Sequence, residues 1–132
     1  MSELQCIVVT PEATLLDKQA EFVALPLFDG EIGIASGHSP MIGRLGCGEL
    51  RVKHGGGTDH YYIEGGFVEV LGNVVSVLTN RGVLAEELDE PAVEEQLTAA
   101  RSRPADTPEL MSARDRAVTQ ARAQLRVAQR EG

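Results

Sequence analysis

Glu31 and His38 are the residues whose types and spacing first invite chemistry. A carboxylate and an imidazole this close in sequence can act as an acid/base pair. They lie in a stretch from Gly30 to Leu50 that holds six glycines and one proline. A nucleophile would have to be Ser36 or Ser39, and neither stands in the strand–turn–helix setting of a nucleophile elbow. The stretch also lacks the Gly-Lys-Ser/Thr of a phosphate loop, because Glu49 follows Gly48. Catalysis is therefore not the expected use of these groups. His38, His54 and His60 are separate, and the last two flank Gly55-Gly56-Gly57, so they read as loop histidines rather than metal ligands. Cys6 and Cys47 have no close spacing and read as small core residues of a reducing compartment. No metal and no cofactor is expected.

A second constellation lies near the C-terminus. Arg114, Arg122, Arg126 and Arg130 drift along one helical face beside the stripe Ala113, Ala117, Ala121 and Leu125. Three readings stand side by side: a solvated helix face, a nucleic-acid contact, or a surface that docks on an acidic protein segment through guanidinium–carboxylate forks. The chain is 132 residues long with a net charge of −8. That balance disfavours nucleic acid. No stretch approaches the roughly 20 apolar residues that cross a bilayer. Met1-Ser2-Glu3-Leu4 lacks a basic region followed by an apolar one, so no signal peptide is expected.

The elements that position these groups follow from periodicity. Glu3–Thr10, Thr14–Lys18 and Glu21–Phe28 read as strands, with Pro26 pointing to a sheet edge or a bulge. The glycine-rich stretch reads as compact, irregular β-structure that presents Glu31 and His38 on a rigid base. Glu49–His54 alternates, with Leu50 and Val52 inward and Glu49, Arg51 and Lys53 outward. A flexible loop, His54–Asp59, leads to a strand over His60–Glu64 with Tyr61 and Ile63 on one face. Phe67–Val70 and Val74–Thr79 flank Gly72-Asn73, a strong two-residue hairpin signal. Val74–Thr79 is the last strand expected. Short strands at this spacing imply an all-β sandwich or barrel of about eight to ten strands. From Glu90 the pattern turns helical. Asp89 or Glu90 caps a first helix, with Val93, Leu97 and Ala100 on one face. Thr107-Pro108 starts a second helix that runs to about Arg130. The fold expected is mainly β with an α appendage: a sandwich over residues 1–86 and an antiparallel helical hairpin over 87–132.

Three motifs in register carry a family resemblance. Gly30-Glu31-Ile32-Gly33-Ile34, Gly37-His38-Ser39-Pro40, Leu45, Gly48 and Leu50 resemble one signature of the epsilon subunit of F-type ATP synthases. Gly65-Gly66-Phe67-Val68-Glu69-Val70 with Asn73-Val74-Val75-Ser76-Val77-Leu78 resembles a second. Ala123-Gln124-Leu125-Arg126-Val127 resembles the end of that family's last helix. The likeness spans nearly the whole chain.

The resemblance implies a flattened sandwich followed by a hairpin, in a non-catalytic subunit at the foot of the central rotor stalk. It implies binding to the gamma subunit and to the membrane rotor ring, with rotation coupled to ATP synthesis. The ring-facing residues would be Glu31, Ile32, Gly33 and His38. The hairpin would inhibit ATP hydrolysis by contacting an acidic segment of the beta subunit through Arg114, Arg116, Arg122 and Arg126. Some members bind ATP through a motif that starts the first helix; here Asp89 is kept but its arginine is replaced by Ala92. A nucleotide-sensing module is thus the alternative function. The implied place is the cytoplasmic face of the bacterial inner membrane, or the organelle equivalent, peripheral and reached through the complex.

Overall fold

The structure, a computed structural model, describes residues 3–131. It consists of two compact units, one ending at Leu84 and one beginning at Ala85. The first is a β-sandwich. Among the described residues it holds ten strands: β1 (Leu4–Val9), β2 (Thr14–Ala20), β3 (Phe22–Leu27), β4 (Gly30–Ala35), β5 (Met41–Arg44), β6 (Cys47–His54), β7 (Gly57–Glu64), β8 (Phe67–Leu71), β9 (Val74–Leu78) and β10 (Arg81–Leu84). One sheet has the order β2-β1-β9-β8-β5 and the other β10-β7-β6-β3-β4. Pairing is antiparallel except between β1 and β9, where the first strand lies parallel to a late one and ties the chain's start to its middle. Alternation sends Leu4, Cys6 and Val8 of β1 inward to meet Val23, Leu25, Ile34, Leu50, Val52 and Ile63 of the facing sheet.

The Gly72-Asn73 signal holds. Both residues have positive φ (57° and 62°), which a type I′ hairpin requires. Pro26 lies beyond Ala24, the last residue of β3 paired with β6, so one side of the strand has left the ladder where the N–H is missing.

Several expectations are corrected. The loop after His54 is not long: His54 pairs with Gly57, leaving only Gly55-Gly56 as the turn, and His54 Nδ1 accepts the Gly56 N–H at 3.1 Å. β10 follows the strand expected to be last; Arg81-Gly82-Val83-Leu84 is too short and too mixed to show alternation. Glu49 points outward from the core but is buried, held by Arg51 at 3.2 Å and His60 at 3.1 Å. Tyr62 is buried as well, on the face opposite Ile63. Its hydroxyl donates to Glu64 at 2.8 Å, and burial together with that carboxylate pushes its pKa up.

An ion pair joins the sheets: Lys18 Nζ on β2 lies 2.8 Å from Asp59 Oδ2 on β7. Burial pushes the Asp59 carboxyl up, but Lys18 and His54 outweigh it and hold it below its ordinary value. A carboxylate lowered on folding stabilises the protein above its unfolded pKa and loses that contribution as pH falls through the folded one. Lys18→Met should therefore lower the melting temperature slightly at pH 7, with the gap to the parent closing below about pH 4. Melting curves at pH 7 and pH 3 check this, and a gap that persists at pH 3 contradicts it.

The second unit holds a short 3-10 turn, α1 (Glu90–Arg101) and α2 (Pro108–Glu131). Val93, Leu97 and Ala100 are buried on α1 as the spacing requires. Thr107 Oγ1 accepts the Leu110 N–H at 3.1 Å and caps α2. The seam is displaced from the one expected: Ala121 of the expected stripe is buried, together with Ala123, Gln124, Val127 and Ala128, whereas Ala113, Ala117 and Leu125 are half-buried. Ala117, Ala121 and Gln124 face Ala99 and Ala100 across a narrow groove.

Candidate functional site

The structure does not bring Glu31 and His38 together. β4 runs between them and carries the chain roughly 13 Å from Glu31 to Ala35. Beyond its end a tight turn forms, with Gly37 at φ 84° and the His38 N–H donating to Ala35 O at 3.2 Å. Glu31 is bound elsewhere: Arg51 grips both its oxygens, at 3.1 and 3.3 Å, and the same guanidinium reaches Glu49. Hydrogen bonding to Glu31 raises Arg51 further above its ordinary pKa, so the guanidinium stays charged. His38 Nδ1 lies 2.8 Å from Ser39 O, and Gly37 N–H donates to Asn73 Oδ1 at 2.8 Å. The acid and the imidazole thus have separate partners, one on β4 and the other in the turn beyond it. Of the other two residues expected beside them, Ile32 packs half-buried against the core, and Gly33 makes a bed for the Phe22 ring.

Neither thiol is poised for attack. Burial, helped by Asp17, pushes Cys6 up to about 12; burial and Glu64 raise Cys47. Among the described residues no group of three metal-ligating side chains converges.

What the surface does offer is apolar area. On the outer face of the first sheet Ile42, Phe67, Leu71 and Leu78 are 75, 59, 57 and 55% exposed. Phe67 and Leu78 are direct cross-strand partners, and Arg44 pairs in register with Phe67. Phe28, 68% exposed, adds its ring under the Arg44 guanidinium. A solvent-open cleft of about 740 Å3 runs along this corner, lined by Thr10, Pro11, Arg44, Phe67, Leu78 and Asn80. Four large apolar side chains on one sheet face are the mark of a docking surface. Sequence reasoning missed them because β8 and β9 break their apolar run only at Glu69 and Ser76, which reads as plain burial. The same feature was the available signal: an antiparallel strand normally keeps one face polar.

Comparison with known proteins now decides the family. The beta-sandwich domain of the ATP synthase Delta/Epsilon chain matches residues 3–85. An ATP synthase epsilon chain of Rhodopirellula baltica is 48% identical over 123 residues, 93% of this chain and 96% of the relative. The chain belongs to the ATP synthase epsilon family.

The fold agrees. A chain of the Euglena gracilis mitochondrial ATP synthase superposes with a TM-score of 0.85 at 24% identity, covering 93% of this chain and 79% of that one. One from the central stalk and c-ring of the Tetrahymena thermophila mitochondrial enzyme gives 0.76 at 13% identity, with 96 and 97% covered. An epsilon chain is a stalk subunit rather than the catalytic one. No helix among the described residues is long and apolar enough to cross a membrane.

The arginines that the epsilon family would use lie on α2. Arg116, Arg122 and Arg126 are exposed; Arg114 is half-buried and lies 3.3 Å from Asp115. Arg122, Arg126 and Arg130 succeed one another at four-residue spacing on one face, while Arg116 is offset around the helix. Asp89 occupies the N-cap position of α1 with extended backbone, but its side chain makes no capping hydrogen bond. Glu87, Glu90 and Glu94 stand near it in sequence, and Ala92 supplies no cation.

Proposed function

We propose that the protein is the rotor-stalk subunit that couples rotation to ATP synthesis, with the outer face of the β5–β8–β9 sheet as its seat on the gamma subunit. The observation that carries this is the exposure of Ile42, Phe67, Leu71 and Leu78 on one sheet face, around Glu69, on a sandwich whose core is already complete without them. Glu31, with Ile32 and Gly33 behind it, marks the end of the sandwich that meets the membrane ring; its carboxylate is held in place by Arg51. His38, in the turn just beyond β4, completes this ring-facing set. The subunit performs no chemistry of its own and reaches the membrane through the complex, on its cytoplasmic face.

The body, residues 1–86, is the coupling piece, and residues 87–132 are its regulatory arm. Arg114, Arg116, Arg122 and Arg126 supply the cations for an acidic segment of the beta subunit, three of them from an exposed surface. Truncation after Glu86 in the assembled enzyme should leave gamma binding intact and raise ATP hydrolysis severalfold. Hydrolysis assays on the reconstituted complex read this directly; an unchanged rate removes the inhibitory role and leaves the docking role standing. Titration of purified gamma with the full chain tests the docking role itself, and the absence of binding would refute it. Nucleotide sensing has less support, since acids flank Asp89 where a phosphate would need a cation. Calorimetry with Mg-ATP should show no sub-millimolar binding.

A further inference from the structure

We infer that Arg44 is the specificity-determining residue of this docking face, and that it pairs with a carboxylate carried by an apolar segment of the gamma subunit lying in the cleft. This rests on the reading that the face seats gamma. Three other cations of the sandwich are already used: Lys18 is bound to Asp59, Arg51 to Glu31 and Glu49, and Arg81 to Glu64. Lys53 belongs to β6, in the other sheet. Arg44, among the described residues, has no carboxylate within 4.0 Å. What it has instead is a ring. Its guanidinium lies 6.0 Å from the Phe28 centroid, and its backbone pairs with Phe67.

A cation left unpaired on this face is conspicuous in a body with eleven acids and five bases through residue 86. Its setting explains why that matters. Aromatic faces hold the planar guanidinium without consuming its N–H donors, so the fork stays free for a bidentate partner. Phe67, Leu78 and Phe28 around it would exclude water once covered, and a charge pair in such a rim is stronger than one in open solvent. The backbone edge of β5 is already taken at this point, since the Phe28 N–H donates to Arg44 O at 3.0 Å and Leu27 bridges Leu45, so an incoming chain meets the exposed guanidinium rather than the strand edge. An apolar segment without an acid would leave a desolvated charge behind; that penalty selects the partner.

The test uses the full chain and purified gamma, with affinity measured at about 50 and 500 mM salt. The parent should bind, more tightly at low salt. Arg44→Gln should weaken binding at least tenfold at low salt and flatten the salt dependence; Arg44→Lys should recover part of both, and Arg44→Glu should be weaker still. Restoration of Arg44→Glu binding by one Asp/Glu→Lys change in gamma would identify the partner carboxylate. Arg44 is exposed, so melting temperatures of these variants should match the parent. Affinity and salt slope within twofold of the parent for Arg44→Gln, while Phe67→Ser still abolishes binding, overturns the role of Arg44 and leaves the docking face intact. No binding by the parent fells both. Self-association of the parent through this face, seen by sedimentation and lost in Arg44→Gln, would assign the cleft to a second copy and likewise refute the inference.

Discussion

Gly66→Ala should lower the melting temperature by more than about 12 °C. Gly66 has φ 101°, a region that a Cβ makes costly. The added Cβ would stand 1.9 Å from Leu78 O, 2.8 Å from Thr79 Cα and 2.9 Å from Leu78 C. All three are backbone atoms, so no rotamer change relieves the clash; the β9 end itself must move. The chain cannot yield easily there, because Gly66 O accepts the Leu45 N–H at 2.9 Å where the chain crosses from one sheet to the other. Backbone strain of about 1–3 kcal/mol and the displaced strand together give a loss of about 3 kcal/mol or more, a large share of a stability of about 5–15 kcal/mol. Gly55→Ala is the matched control, since nothing lies within 4 Å of its Cβ and its φ is not positive. Circular-dichroism melts of both variants decide the matter. A Gly66→Ala chain that melts within about 2 °C of the parent contradicts the geometry.

The second large effect concerns association rather than folding. Phe67→Ser with Leu78→Ser should weaken gamma binding by at least a hundredfold while leaving the melting temperature unchanged or slightly raised. The two side chains are cross-strand neighbours, more than half exposed, and contribute nothing to the core between the sheets. Buried in an interface, each large apolar anchor is worth about 1.5–3 kcal/mol, and anchors near the centre of a patch carry most of the affinity. A loss of about 3 kcal/mol corresponds to roughly a hundredfold in Kd. A paired measurement of affinity and melting separates the two roles: loss of both would mean that the residues are structural, and retention of both would mean that this face docks nothing.

Much of this protein is legible along the chain. Val/Ile alternation, the Gly72-Asn73 turn and the shift to helical spacing after Glu90 are local signals, set within a few residues by backbone sterics and side-chain direction. They are enough for a β-sandwich followed by two helices. The short motifs are enough for the family, because glycines at fixed offsets mark places where backbone approaches backbone, as at Gly66. Faces, ends and partners are not legible. Whether Glu49 and Tyr62 are buried depends on what covers a strand's second face, and β10 is a strand only because β7 offers it an edge.

The same limit governs the site. Glu31 and His38 are close in sequence and so suggest one constellation. Glu31 lies within β4 and His38 in the turn beyond its end, and their separate partners emerge only when β4 is seen as a strand paired throughout its length. Phe67, Leu78 and Arg44 are scattered in sequence and read as core or as unremarkable surface. The Gly72-Asn73 hairpin sets Phe67 opposite Leu78, but Arg44 joins them only through the long-range pairing of β5 with β8, which no local pattern of residues encodes.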